Sequence, residues 1–504
     1  MRNLSKILFV LLATTVGGAH VGSPDTFYEG DAGPYHLFVT VRLPKTVPGT
    51  GAIEVRSAAP DLQTVQAVLL HLSGPGSTLP PALEPTQQSK DDPQSFAGDL
   101  WFMELGAMRV YIEVNGPKGR AVLSVPVASF ARQSRTMNRG LRGVFAFFFV
   151  FLTLSVVPIA GAVVRDSGAP PGTDRPASSR RSRTVMAIAL IASVAVLHMN
   201  RNWWNAEAAT YNRTVDLLKQ PPRIETTLLN GGLLVVRPAG PLVFPRHGGK
   251  DREVKMSELI PDHGHLMHLF IISSPGMQRI WHLHPERSEG NSFTQKLPAM
   301  PPGRYAVFAD ILDKTGFPWT LVGKSDVPRI DGTNTTGDDS AWEGASLTSP
   351  LSETTVARLP DGARMVWERG NAPVKANALA GLNFRVETKD GKPVGDLEPY
   401  MGMAAHAEVA SSDLSVFAHI HPSGTVPMAA LTLVPAGSTA QPSSGTAEKS
   451  MPMPMSMPMP GSSSLPPSTV SFAYGFPKPG DYRIFVQIKR SGRVQTAVFD
   501  ARVQ

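Results

Sequence analysis

The stretch DHGHLMHLFIISSPGMQRIWHLHPE, residues 262–286, holds five of the 13 histidines in this 504-residue chain. Two short apolar runs flank the turn-forming residues SSPGMQ, and this order is typical of a β-hairpin. Alternate residues of a strand point to the same face, so His282 and His284 would lie side by side, with His268 opposite them. The stretch therefore predicts an antiparallel hairpin on which three imidazoles converge.

A second stretch, from Leu397, repeats this order of motifs. LEPYMGMAAHAE aligns without a gap with LIPDHGHLMHLF, which begins at Leu259, and FAHIHP aligns with IWHLHP after one residue of slippage. A shared order of motifs predicts two copies of one domain. The aligned histidine pairs are His268 and His406, His282 and His419, and His284 and His421.

Most of the remaining chain consists of short alternating runs between turns. The 45 glycines and 46 prolines favour many short strands over long helices. Residues 20–131, 223–330 and 350–504 are each predicted to form a sandwich domain, and the polar residues 331–349 a linker. The predicted fold class is mainly β, with three small immunoglobulin-like antiparallel β-sandwich domains plus a two-helix transmembrane hairpin.

The apolar segments predict export and membrane anchoring. Residues 1–19 combine basic residues, an apolar core and small residues up to Ala19, which predicts a signal peptide, with an uncleaved anchor as the alternative. Residues 143–164 and 185–204 are predicted transmembrane helices, joined by a cytoplasmic Arg-rich loop, residues 165–184. This topology places the N- and C-terminal domains in the periplasm, anchored to the inner or plasma membrane.

Charge and cysteine content restrict the ligands to be considered. The net charge is +7, but no basic run is interleaved with aromatic residues, so no nucleic-acid partner is predicted. The chain contains no cysteine, so a metal site must use histidine, methionine or carboxylate ligands. No nucleophile with a positioned base, phosphate loop or paired carboxylate motif is present, which favours binding over catalysis.

Three converging imidazoles can hold a transition metal and leave a coordination position open. His263 and His265 align with Met401 and Met403, and a thioether replaces an imidazole well for copper, above all Cu(I), but poorly for zinc. The predicted cofactor is therefore a copper ion. The predicted ligands are His263, His265, His268, His282, His284, His406, His419, His421, Met401 and Met403. Two alternatives stay open, namely that the methionines fill the core and that His-x-His-Pro is an exposed hairpin edge.

The segment MPMPMSMPMP, residues 451–460, interrupts the second copy. Alternation of proline and methionine enforces an extended, solvated backbone, so these thioethers are not expected in a core. One interpretation is a tether that captures Cu(I) and passes it to a nearby histidine site; the other is a flexible low-complexity insertion.

Two segments resemble known families. HVGSPDTFYEGDAGPY and the strands after it resemble the YtkA-like and FixH-like extracytoplasmic β-sandwich domains of bacterial membrane proteins. Residues 381–424 are similar to a repeated bacterial exported domain associated with heavy-metal and copper handling, whose motif is a turn, a histidine and a later His-x-His-Pro. His406, His419 and His421 match that motif, and the first copy matches it at the aligned positions. The resemblance implies a compartment and a fold more than a reaction.

These observations predict a membrane-anchored, extracytoplasmic copper-binding protein that serves in buffering, delivery or resistance. Its expected partners are the membrane, the metal ion and a protein that donates or accepts copper. One alternative is a metal-free envelope interaction module. The other is a cupin-like metal oxygenase that uses Glu289 with Pro301 and Gly303, although no histidine follows Gly303 where such a site requires one.

Overall fold

The computed structural model describes most of the chain outside residues 1–23, residues 436–467 and a few loops. The described residues are 24–78, 82–167, 172, 179–245, 250–347, 351, 353–370, 372–435 and 468–504. The predicted signal peptide, the methionine-rich segment 451–460 and half of the Arg-rich loop lie outside them. Within the described residues the chain is built of antiparallel strands and two long helices, which confirms the predicted fold class.

The N-terminal sandwich consists of two antiparallel sheets, with strand orders β1-β2-β3-β7-β6 and β5-β4-β8-β9. Its core follows the alternation of the sequence, since Leu37, Val39 and Val41 of β2 are buried. The strands are β1 Thr26–Ala32, β2 Tyr35–Arg42, β3 Gly49–Ser57, β4 Thr64–His71, β5 Glu84–Pro85, β6 Gln87–Gln88, β7 Ser95–Phe102, β8 Gly106–Gly116 and β9 Gly119–Ser129.

Two long helices follow, α1 (Arg139–Asp166) and α2 (Arg180–Lys219), and both extend beyond the spans 143–164 and 185–204 predicted from hydrophobicity. The Asn138 side chain caps α1 by accepting a hydrogen bond from the Leu141 N–H. The helices pack where the Ser182 hydroxyl donates to the Gly161 carbonyl at 2.6 Å. Both are long and apolar enough to cross a membrane.

The first C-terminal sandwich pairs a four-stranded sheet, β10-β11-β18-β17, with a larger sheet, β14-β19-β15-β16-β21, in which β20 also pairs with β19. Its strands are β10 Ile224–Leu229, β11 Leu233–Pro238, β12 Val243–Phe244, β13 Arg252–Glu253, β14 Leu259–Ile260, β15 His268–Ser273, β16 Arg279–Leu283, β17 Glu286–Arg287, β18 Phe293–Lys296, β19 Gly303–Asp313, β20 Pro318–Val327 and β21 Ser340–Glu343, with a 3-10 turn at Met256–Glu258.

The second C-terminal sandwich pairs the sheet β22-β23-β24-β28 with the larger sheet β25-β29-β26-β27, in which β30 also pairs with β29. Its elements are β22 Val356–Arg358, β23 Arg364–Trp367, β24 Leu379–Glu387, β25 Leu397–Glu398, β26 His406–Ser411, β27 Phe417–Ile420, α3 Met428–Thr432, β28 Thr469–Gly475, β29 Gly480–Arg490 and β30 Arg493–Val503.

The two larger C-terminal sheets have the same strand order around their histidine hairpins. The predicted hairpins are confirmed, because β15 pairs antiparallel with β16 and β26 with β27. The turns before them also agree: His263 and Met401 have φ of 52° and 50°, and the glycine after each is again positive. Two successive residues with positive φ form a tight turn, and glycine is the residue typically found at the second of these positions. Common descent of the two sandwiches stays a prediction.

The larger sheets of the two C-terminal sandwiches pack against each other through an aromatic layer. Phe308 of β19 stacks on Phe417 of β27 with ring centroids 4.2 Å apart, and Phe270 lies 5.0 Å from Phe417. These rings belong to one buried cluster that includes Phe485 of β29. The face of each sheet that carries histidines is therefore covered by the other sheet.

The predicted linker 331–349 is in part a strand. Ser340–Glu343 forms β21, which pairs with β16 at the edge of the larger sheet. Trp342 explains the difference, because its ring packs 5.8 Å from the ring of Phe485 in the second C-terminal sandwich. A short strand that carries one large anchoring residue is hard to distinguish from a loop by composition.

Candidate metal centre

Eight histidines meet where the two larger C-terminal sheets face each other. Neighbouring rings within this histidine cluster have centroids between 4.0 and 6.2 Å apart. The cluster contains every histidine predicted as a ligand: His263, His265, His268, His282, His284, His406, His419 and His421. Five come from the first C-terminal sandwich and three from the second.

Strand register explains how each hairpin presents its histidines. On β15 and β16, Phe270 pairs with His282. On β26 and β27, Glu408 pairs with His419. Antiparallel partners have side chains on the same face, and so do residues two apart in a strand. Each hairpin thus directs its histidines towards the opposite sandwich.

The histidine nitrogens form two groups of three. The His263 group comprises His263, His406 and His421, and the His268 group comprises His268, His282 and His419. Within each group one nitrogen of every ring lies within 4.8 Å of the others. Both groups take residues from both C-terminal sandwiches.

This arrangement corrects the predicted division into one triplet per copy. The rings of His268, His282 and His284 do lie close together, and so do those of His406, His419 and His421. The prediction treated each hairpin alone, whereas the packing of one sheet on the other interleaves the rings. The nitrogens that can share an ion therefore belong to both copies.

Several imidazole nitrogens in the cluster are buried without a hydrogen-bond partner among the described residues. They are Nε2 of His263, His284 and His419 and both ring nitrogens of His406 and His421. Buried polar atoms are nearly always hydrogen-bonded in folded proteins. All three rings of the His263 group have such a nitrogen, as does His419 of the His268 group, and metal coordination would satisfy them.

The nitrogens that point away from the two groups have defined partners. His263 Nδ1 lies 2.9 Å from the Met401 carbonyl oxygen, and His268 Nε2 lies 3.1 Å from the Asp262 carbonyl oxygen. A carbonyl oxygen only accepts, so these nitrogens donate their protons to it. His282 Nδ1 lies 2.9 Å from Gln487 Oε1 and can donate in the same way. The other nitrogen of His263, Nε2, has no hydrogen-bond partner, whereas His268 Nδ1 and His282 Nε2 lie 3.0 Å from each other. If the outer nitrogens of His268 and His282 both carry the proton, these inner nitrogens face each other as two acceptors, and an ion between them would satisfy both.

Burial keeps six histidines of the cluster neutral. Desolvation holds the pKa values of His268, His282, His406, His419 and His421 well below their usual range, and the neighbouring imidazoles lower them further. For His284 the same causes lower the pKa to about 3. A neutral imidazole is the form that binds a metal, so the rings need lose no proton to do so at neutral pH.

Three carboxylates border the cluster that were not predicted from the sequence. Glu408 is fully buried, its oxygens have no hydrogen-bond partner, and Oε1 lies 3.6 Å from His282 Nδ1. Burial raises the pKa of Glu408 well above its usual range and that of Asp310 to about 7.

Asp339 accepts hydrogen bonds from both the Nδ1 and the main-chain N–H of His284, at 2.9 and 3.0 Å. The spacing of Glu408 two residues after His406 was the available signal, because it places both on one face.

The other predicted ligands lie beside the two groups. His265 stacks on His284 with centroids 4.0 Å apart, and its Nε2 lies 3.4 Å from Asp338 Oδ2. Met401 contributes its carbonyl oxygen to His263, and the Met403 main chain closes the same turn by bonding to Tyr400. Coordination through either thioether stays a prediction. Glu289, the carboxylate of the cupin-like alternative, is exposed and belongs to neither group.

The N-terminal sandwich holds the turn that follows His421. The Thr425 N–H donates to the Phe27 carbonyl at 2.9 Å, and the Glu29 N–H donates to the Ser423 carbonyl at 2.9 Å. Gly424 has φ of 106°, and a Cβ there would lie 2.1 Å from the Phe27 oxygen. Only glycine fits this close approach, so strand β1 and the His421 turn are fixed to each other.

A cavity of about 230 Å³ reaches the cluster from this side. Its wall includes His421 of the His263 group and His268 and His419 of the His268 group. Asp262 and Asp310 also line it. Otherwise buried imidazoles of both groups border an open volume at this cavity.

The comparisons with known proteins identify no function. A family described as a domain of unknown function (DUF8832) matches residues 355–504, the second C-terminal sandwich. CopC from Methylosinus trichosporium OB3b is 13% identical over 22% of this chain and 99% of its own, with a TM-score of 0.15. The fibronectin(III)-like modules of Clostridium thermocellum CbhA are 6% identical over 59% of this chain and 98% of their own, with a TM-score of 0.20. No curated protein matches the chain. The resemblance to YtkA-like and FixH-like domains stays a prediction.

Proposed function

We propose that this chain is a membrane-anchored copper-binding protein that buffers or delivers the ion outside the cytoplasm. The observation that carries the proposal is the pair of histidine groups, in which three buried nitrogens lie within 4.8 Å of one another. Four of the rings in these groups, those of His263, His406, His419 and His421, have a buried nitrogen without a hydrogen-bond partner among the described residues. An ion in each group would satisfy nitrogens whose burial is otherwise unfavourable.

The donor set supports copper. Imidazole suits copper, zinc, iron and nickel, and the chain offers no cysteine to favour zinc or an iron–sulfur cluster. Methionines 401 and 403 stand where the first C-terminal sandwich has His263 and His265, and this exchange is compatible with Cu(I). The five methionines of segment 451–460 add thioethers in the same chain. An ion held by three neutral imidazoles keeps an open position, which suits transfer to another protein.

The two long helices support anchoring. Helices α1 and α2 each exceed the length needed to cross a bilayer, and each contains an apolar stretch of 18 residues. A hairpin of two spans places the sequences before and after it on the same side of the membrane. With the signal-like N-terminus, this side is the outside of the cytoplasm, where copper handling without cysteine is compatible with oxidising conditions.

Metal analysis of the full-length chain in detergent tests the proposal. After dialysis against copper and removal of loosely bound ions, we expect two copper ions per chain. His406→Ala and His282→Ala should each lose one ion, since each belongs to a different group. His71→Ala is the matched control, because His71 lies near Glu104 in the N-terminal sandwich and in neither group. Absence of copper in the folded wild-type chain, or its persistence in both cluster variants, would contradict the proposal.

A further inference from the structure

The cavity beside the histidine cluster is half-open and reaches both candidate ion sites. His421 of the His263 group lines it, and so do His268 and His419 of the His268 group. These three side chains are almost completely buried. Both ring nitrogens of His421 and Nε2 of His419 have no hydrogen-bond partner among the described residues. Side chains with unpartnered nitrogens from both groups therefore line a volume that an ion can enter.

The charges around the cavity favour a cation. The carboxylates of Asp25, Asp262 and Asp310 line it, against the single ammonium group of Lys219. Asp25 is partly compensated by Arg132, whose Nη1 lies 3.5 Å from its Oδ1. The excess negative charge therefore belongs to Asp262 and Asp310. A cleft with one predominant sign of charge raises the local concentration of ions of the opposite sign.

Both of these aspartates adjoin histidines of the His268 group. Asp310 Oδ2 lies 3.8 Å from His419 Nδ1, and the Asp310 side chain is 24% exposed, compared with 4% for His419. Two atoms that each lie about 2.0–2.2 Å from one ion can be this far apart, so one ion can contact both. Asp262 accepts a hydrogen bond from His268 Nε2 at its carbonyl oxygen, at 3.1 Å. An ion that enters the cavity thus meets a carboxylate before it meets a buried imidazole.

His419 connects the cavity to both groups. Its ring lies 5.2 Å from that of His268, within its own group, and 4.7 Å from that of His421, in the His263 group. An ion held by Asp310 and His419 can therefore reach either group by exchanging one ligand at a time. Stepwise exchange avoids an uncoordinated buried charge, which would be strongly unfavourable.

We infer that the cavity is the route by which a copper ion enters and leaves both histidine groups, and that Asp262, Asp310 and His419 form a transient cation site on this route. This inference rests on the proposed function, because it requires the groups to bind copper. It adds to that function the place where copper is exchanged. The N-terminal sandwich also contributes to the route, since Thr26 and Ala128 line the cavity.

The rates of copper exchange in the full-length chain in detergent test this inference. Loading with Cu(II) is followed by quenching of tryptophan fluorescence, to which Trp319 in the cavity wall contributes, and release is followed by transfer to a chelator. Asp262→Asn and Asp310→Asn should each slow loading at least about tenfold, because they remove charges that attract the ion. Asp338→Asn is the matched control, since Asp338 Oδ2 lies 3.4 Å from His265 Nε2 but Asp338 does not line the cavity. Wild-type loading rates in both cavity variants, or equal slowing by Asp338→Asn, would overturn the inference.

Narrowing the cavity tests the route without a change of charge. Thr26→Phe places a ring in the wall from the first residue of β1. A narrower route raises the barrier in both directions, so loading and release should slow by the same factor, at least about tenfold, with two copper ions and their dissociation constants retained. Thr64→Phe, at the first residue of β4 and outside the cavity, is the control. Wild-type rates in copper-replete Thr26→Phe, or weaker binding without slower loading, would contradict the route. Copper content is measured first, so a folded wild-type chain that binds no copper contradicts the proposed function instead.

Discussion

The two C-terminal sandwiches share a hairpin but not its chemistry. Both supply a histidine at the start of one strand, a second on the next strand and a third directly after it, so six positions are alike. The positions that differ, aligned by sequence or by strand pairing, are His263 and Met401, His265 and Met403, Phe270 and Glu408, and Asp310 and Gln487. The shared histidine positions provide every ligand of the two groups except His263. The positions that differ give these ligands different neighbours in the two sandwiches. Two similar hairpins thus produce two unequal sites.

Each central imidazole takes its partner from the other sandwich. His282 Nδ1 lies 2.9 Å from Gln487 Oε1, while His419 Nδ1 lies 3.8 Å from Asp310 Oδ2. These two contacts are equivalent, since Gln487 pairs with His406 as Asp310 pairs with His268. Neither sandwich alone contains a complete group. Ion binding and docking of the two sandwiches are therefore linked, and each should strengthen the other.

The largest effect is expected from breaking the shared interface. Phe417 is 1% exposed and stacks on Phe308 of the other sandwich. Phe417→Ala should lower the free energy of unfolding by about 3–5 kcal/mol and weaken copper binding in both groups together. Urea unfolding and copper content after gel filtration measure the two effects.

Phe384→Ala is the control for this prediction, because Phe384 is equally buried but lies in the core of the second C-terminal sandwich. It should destabilise the chain to a similar extent while the folded fraction keeps two copper ions. Wild-type copper affinity in Phe417→Ala would show that the groups do not depend on docking.

Removing copper should lower the free energy of unfolding by an amount comparable to that of Phe417→Ala, but without the loss of both copper sites that this variant adds. An ion that binds only the folded chain stabilises it by about 2.7 kcal/mol when free copper is at 100 times its dissociation constant. Wild type with two ions should gain about twice that value, measured by urea unfolding with copper and with a chelator. His406→Ala should keep only the copper-dependent stabilisation that comes from the His268 group. His282→Ala should keep only the stabilisation that comes from the His263 group. A full copper-dependent gain in either variant would mean that the groups are not separate sites.

Replacing Glu408 should stabilise the copper-free chain. Burial raises the pKa of Glu408 in the folded chain above its usual value of 4.5, so ionisation favours the unfolded chain as pH rises through 4.5. Glu408→Gln should therefore be more stable than wild type at pH 7, and the gain should shrink as the pH falls and vanish near pH 4.5. Unfolding free energies from pH 4.5 to 7 test this.

The exposed Glu286 offers the control, since Glu286→Gln should leave the pH dependence unchanged. A gain in Glu408→Gln that does not vary with pH would have to arise from packing. Phe270 occupies the equivalent place in the first C-terminal sandwich, so the pH-dependent penalty is a property of the second alone.

The hairpins and the convergence of their histidines were predictable from the spacing of nearby residues in the sequence. Residues such as His282 and His284 lie two apart, and this spacing fixes their common face in any strand. The helices were predictable as apolar segments, but their ends were not. The apolar run of the sequence ends near Trp204, whereas α2 continues through polar helix-forming residues to Lys219.

The grouping of the histidines was not predictable, because it depends on contacts between distant residues. Nothing near His406 in the sequence indicates that its nitrogens approach His263, whose ring lies 4.8 Å away. Gln487 and Asp310 look like ordinary polar residues in strands until the opposing sheet is in place. Sequence periodicity specifies which face a side chain occupies, and packing of that face on another sheet specifies its partners.

The smallest effect should distinguish the two equivalent contacts. Gln487 is held by its Nε2, which donates to Ser340 Oγ at 2.8 Å, so its oxygen is fixed towards His282. Gln487→Leu removes that acceptor, and loss of such an orienting partner typically weakens metal affinity about 10–100-fold. Competition with a chelator should show this loss in the His268 group and none in the His263 group. Asp310→Asn changes the longer contact, at 3.8 Å from His419, and should have a smaller effect on the same group. Equal losses in the two variants would mean that the charge of Asp310, rather than hydrogen-bond geometry, governs the His268 group.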